Sequence, residues 1–119
     1  MEKIVLVLAG LMGAAGIVLA SLGAHVVPGA GLESASAMLL FHACAATTAV
    51  LAVRAALLWL PLGMAAAFGF VIGAGLLADD ISLRALAGHR LFAFAAPAGG
   101  TILILSWLAF AAAALFQRR

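Results

Sequence analysis

The side chains of this chain whose types could do chemistry are His25, His42 and His89, the adjacent pair Asp79 and Asp80, and Arg84. Imidazoles on facing helices can approach a single metal or haem iron, so His25 and His42 form a candidate ligand pair. His42 with an aspartate could instead relay protons or pass a small solute, because an ionisable group inside a membrane is costly and marks a path or a partner. A structural role competes with both. Asp80 as an N-cap, Arg84 one turn later as its ion-pair partner and Gly88 as a stop would make Ile81 to Ala87 a short interfacial helix. Covalent and phosphate chemistry finds no support, since there is no Gly-rich phosphate loop after a strand, no CxxC, no nucleophile elbow and no HExxH. Cys44 is the single cysteine and is expected to be a small buried apolar residue. Without a catalytic motif the expectation is a non-enzymatic protein with no cofactor, metal or haem ligation through His25 and His42 being the alternative.

The elements that must position these residues follow from hydropathy. Hydrophobic residues make up 68% and charged residues 8% of the 119 positions, and the mean hydropathy is +1.33; soluble domains are about 25% charged. A bilayer core about 30 Å thick is crossed by roughly 20 apolar helical residues. Four such runs occur, at about residues 4–24, 34–53, 62–78 and 91–116, separated by Pro28-Gly29-Ala30-Gly31, by Arg54 to Pro61 and by Asp79 to Arg90. A cleaved signal peptide is the alternative for the first run, but its apolar stretch exceeds the usual signal core and Glu2 offsets the leading charge. Barrel strands would need shorter segments of alternating polarity. The fold class expected is therefore all-α: one integral membrane domain over residues 1–119, an antiparallel bundle of four transmembrane helices joined by short connections.

Antiparallel order gathers His25, His42, Asp79, Asp80, Arg84 and His89 toward one membrane side. The other side carries Lys3, Arg54, Arg118 and Arg119, and the positive-inside bias then places both termini in the cytoplasm, in a bacterial inner membrane. Scattered basic residues at helix ends read as interfacial anchors and not as a nucleic-acid surface. Trp59 fits an interfacial belt, while Trp107 lies mid-helix and reads as packing. Lipid gives helices little hydrophobic reason to associate, so close packing of small residues must hold them together. Gly13, Gly16, Ala20 and Gly23 in the first helix, Ala45, Ala49 and Ala52 in the second, and Gly69 with Gly73 in the third are the candidate seams, either internal or facing a homo-oligomer or larger membrane complex. Pro97 starts or kinks the last helix, and Gly99 with Gly100 permits a close approach, expected near His25 and His42.

Leu22-Gly23-Ala24-His25, Phe41-His42, the segment from Gly75 through Gly88 with Asp80-Ile81-Ser82-Leu83-Arg84-Ala85-Leu86, and Ala96-Pro97-Ala98-Gly99-Gly100 occur in this order over nearly the whole chain. In these pieces the sequence resembles the family of small membrane proteins called domain of unknown function 423, which takes in YgdD- and YwdK-like proteins and transmembrane protein 256-like proteins. The resemblance implies a four-span bundle and supplies no reaction. It singles out His25, His42, Pro97, Gly99, Gly100 and the polar position of Asp80. The chain departs from the family pattern at Asp79, which stands where many members have glycine, at Phe41, which replaces a tyrosine, and in its shorter first loop. Two functions are carried forward: an accessory, assembly or membrane-modulating protein, and a binding or transport protein whose His/Asp pocket takes a metal, haem, quinone or proton.

Overall fold

The computed structural model describes residues 1–118; Arg119, one of the expected basic anchors, lies outside them. Four helices follow in order, α1 (Glu2–His25), α2 (Leu32–Arg54), α3 (Leu60–Ala87) and α4 (Ala95–Phe116). Each is long and apolar enough to cross a bilayer, and the chain is a multi-pass membrane protein folded as an antiparallel four-helix bundle. Glycine sets the bends where the chain reverses: Gly29 and Gly31 at φ 78° and 90° precede α2, and Gly88 at φ 76° ends α3. Pro61 and Pro97 both fall in first turns, where the missing N–H would have had no helical partner. Pro97 therefore starts α4 and does not kink it.

The third helix differs from the expectation. It does not stop at Ala78 and give way to a separate interfacial helix; its 28 residues run unbroken through Asp79 and Asp80 to Ala87. The charges end the hydropathy signal but not the helix, because nothing between Ala78 and Ala87 is a glycine or a proline. Asp80 and Arg84 stand at i and i+4, a spacing that supports the helix they occupy. At 1.5 Å per residue α3 is about 42 Å long, so its final turns project beyond a core of about 30 Å. Conversely, the fourth helix begins at Ala95 and not at Leu91, the preceding residues serving as a connection.

The main contacts run α1 to α2, α2 to α3 and α3 to α4, with a smaller one from α1 to α3. The paired α2 and α3 thus form the middle of a body 50 × 26 × 20 Å. Its core is mostly alanine, including Ala35, Ala46, Ala49, Ala66, Ala67 and Ala74, filled out by Val5, Val50 and Phe70. Small side chains let the backbones approach, which is what holds helices together in lipid. A methyl built on Gly16 would meet the Leu40 side chain and the Ser36 carbonyl, and one on Gly69 would meet Ser106. Gly73 and Gly99 face each other across α3 and α4: a Cβ on Gly99 would lie 2.7 Å from the Gly73 carbonyl oxygen. Gly13 differs from its seam partners, since nothing lies within 4 Å of its position; Gly10 is equally open.

Candidate functional site

The polar side chains sort into two separate units. His42 lies ten residues into α2, about 15 Å along the axis, and is 6% exposed. Its Nδ1–H donates to the Met38 carbonyl one turn back at 2.8 Å. Its Nε2 accepts the indole N–H of Trp107 from α4 at 3.2 Å. A carbonyl needs a donor and an indole N–H needs an acceptor, so this pair of partners fixes the neutral Nδ1–H tautomer and occupies both ring nitrogens. Phe70 of α3 backs the pair, its ring 4.6 Å from that of Trp107 and 5.7 Å from that of His42. Outward from them a groove of about 460 Å³ opens between α2 and α4, walled by Met38, Phe41, Ala45 and Phe110.

Asp80 belongs to the second unit, near the end of α3, and is 1% exposed. One carboxylate oxygen accepts from the Arg84 guanidinium at 2.9 Å and the other from the backbone N–H of Leu91 at 3.0 Å. Both oxygens are therefore used to pin the α3–α4 connection onto α3. An N-cap role for Asp80 does not occur, since the residue sits inside the helix it was expected to begin. Asp79 faces out beside Ser82, Leu86 and Leu91.

The structure brings Asp80 and Arg84 together and leaves His42 with aromatic neighbours at mid-helix. His25, the last residue of α1, is exposed, and exposed His89 is bonded to its neighbour's carbonyl, that of Arg90, at 3.1 Å. Among the described residues no three His, Cys, Asp or Glu side chains converge as a metal-binding group. Pro97 is exposed, Gly99 is buried against Gly73, Leu76 and Leu77 of α3, and Gly100 has nothing within 4 Å; the close approach expected beside the histidines is made to α3. Cys44 is exposed, not buried: it shares the outward face of α2 with Phe41 and Thr48, three and four residues away. Thr47 and Thr48 bond carbonyls of their own helix, as expected.

Trp107 is the residue whose role the sequence reading missed. The available signal was chemical: an indole N–H at mid-span needs an acceptor, and water is absent there.

At the end that carries both termini the geometry is interfacial. Arg54 pairs with Glu2 at 2.8 Å, the Trp59 backbone N–H donates to the Ala113 carbonyl at 2.9 Å, and the Gln117 side-chain amide donates to the Ala56 carbonyl at 3.0 Å. These bonds frame a cleft of about 690 Å³ lined by Trp59, Leu115, Phe116, Gln117 and Arg118.

Four apolar spans around an apolar core, whose few buried polar side chains are bonded within the bundle, define the class, a four-span helical membrane protein. No protein-family model, curated protein or solved structure matches the chain.

Proposed function

We propose that this is a non-enzymatic accessory, assembly or membrane-modulating protein. The observation that carries the reading is how the interior polar groups are spent: among the described residues no buried side-chain nitrogen or oxygen lacks a partner. Ser36 binds α1 to α2 through the Gly16 carbonyl, His42 binds α2 to α4, and Asp80 fastens the α3–α4 connection. The open Gly10 and Gly13, with exposed Ala14 beside them, give α1 a small-residue face suited to a transmembrane helix of a larger complex or of a second copy. The basic bias of the termini end supports a cytoplasmic N- and C-terminus.

The test is extraction from native membranes in mild detergent, with Gly13→Leu as the variant that roughens α1 at a position whose added Cβ meets nothing within 4 Å. The wild-type chain is expected to migrate within a larger assembly and the variant to leave it. A wild-type chain migrating alone, with unchanged levels of membrane complexes in a deletion strain, overturns the reading.

The groove beside His42 favours one form of the alternative. An apolar ring-bearing ligand such as a quinone suits its walls, whereas a metal or haem would have to displace Met38 or Trp107 from the imidazole. Absorption spectroscopy with metal analysis of the purified protein separates these: a bound chromophore lost in His42→Ala selects the binding protein.

A further inference from the structure

We propose that the cleft between the start of α3 and the end of α4 seats the headgroup of an anionic phospholipid. This goes beyond the accessory role and is independent of it. Charge is distributed unevenly along the bundle. Among the described residues the end with the termini carries Lys3, Arg54 and Arg118 against one acidic side chain, Glu2, whereas the opposite end sets Glu33, Asp79 and Asp80 against Arg84 and Arg90. Among the described residues the ion pairs are Glu2 with Arg54 and Asp80 with Arg84, so Lys3 and Arg118 have no carboxylate partner there. Arg118 lines the cleft, and at about 690 Å³ the space is large enough for a glycerophosphate group.

The remaining walls fit the rest of such a lipid. Trp59, 45% exposed, stands at the N-cap of α3, the depth at which an indole straddles the boundary between headgroup and chain. Leu115 and Phe116 present exposed apolar surface on the bilayer side for the first part of an acyl chain. Gln117 is held by the Ala56 carbonyl, which closes the cleft toward the α2–α3 turn and positions Arg118 just past the last helical residue. An anionic headgroup thus meets a cation, an indole and an apolar floor in the order in which a phospholipid presents them. A zwitterionic headgroup adds a cation of its own beside Arg118 and loses the advantage.

Native mass spectrometry of the full chain released from nanodiscs containing equal amounts of phosphatidylglycerol and phosphatidylcholine tests this. The wild-type protein is expected to retain phosphatidylglycerol preferentially. Arg118→Gln lowers that preference about fivefold, the effect of one basic residue at a membrane surface. Arg90→Gln, at the opposite end, leaves it unchanged. Arg118 lies beyond α4, so its substitution does not touch the helix, and circular dichroism checks that the fold is kept. Equal retention of the two lipids by the wild type overturns the proposal. So does an Arg118→Gln protein that keeps the preference, or an Arg90→Gln protein that loses it to the same degree.

Discussion

The indole N–H of Trp107 reaches the Nε2 of His42 across 3.2 Å, joining α4 to α2, two helices that are not among the main packing pairs. Trp107→Phe keeps most of the aromatic contact with Phe70 and removes the donor, leaving a buried acceptor unmet. A loss of about 1–2 kcal/mol is expected. In a double-mutant cycle with His42→Ala the coupling should be about 1 kcal/mol, the scale measured for hydrogen bonds between membrane helices. Unfolding in mixed detergent micelles reads both quantities. Strict additivity of the two substitutions sinks the pairing.

The glycines of α3 and α4 separate into two kinds that should respond in opposite directions. Gly99→Ala places a methyl against the backbone oxygen of Gly73, and backbone cannot swing aside as a flexible side chain can. The helices must separate, at a loss of about 1–3 kcal/mol. Gly75→Ala and Gly100→Ala meet nothing within 4 Å, and the better helix propensity of alanine should leave them neutral or up to about 1 kcal/mol more stable. Thermal midpoints of the purified variants distinguish the two classes.

The four spans were legible because transfer energetics act on long windows, and no local detail reverses them. Individual boundaries were less so. Asp79 and Asp80 end the apolar window of α3, yet an Asp80–Arg84 pair at i and i+4 is at home within a helix, so hydropathy and helicity part company there. The Gly69–Gly73 seam was visible as a spacing, but its partner was not: Gly99 reaches α3 because α4 packs on α3, a pairing that no one-dimensional pattern encodes. For the polar residues the sequence located Asp80 with Arg84 correctly as a pair. It placed His42 in the same cluster, although its position two to three turns into α2 already puts it nearer the middle of the span. Trp107 was read by its apolar bulk, while its one polar atom decides its contact.

Asp80 should act chiefly through the connection it holds. In Asp80→Asn the side-chain carbonyl can still accept from the Leu91 N–H while the charge opposite Arg84 is gone; in Asp80→Ala both bonds are lost. Amide hydrogen exchange at Leu91 should therefore stay slow in the first variant and become fast in the second, since the exchange rate follows local opening. Arg84→Gln leaves a nearly buried carboxylate without its counter-charge. It is expected to lower stability by about 1–3 kcal/mol, less than for a fully buried pair because Arg84 itself is partly exposed. Equal exchange at Leu91 in the Asn and Ala variants would show that the carboxylate does not hold the connection.

The turn between α2 and α3 contains the one non-glycine residue with positive φ among those described, Ala56 at 59°. A left-handed conformation strains an L-residue by about 1–2 kcal/mol through its Cβ, and glycine escapes this while losing somewhat more entropy on folding. Ala56 is exposed, so its methyl contributes little packing to offset the strain. Ala56→Gly is accordingly expected to stabilise the protein by about 0.5–1 kcal/mol, and Ala56→Val to destabilise it. The bond from Gln117 uses the backbone carbonyl of residue 56 and survives either change, so a gain on Ala56→Gly should persist in a Gln117→Ala background. A lower thermal midpoint for Ala56→Gly contradicts the strained turn, and a gain that disappears with Gln117→Ala assigns it to the clamp in place of the backbone.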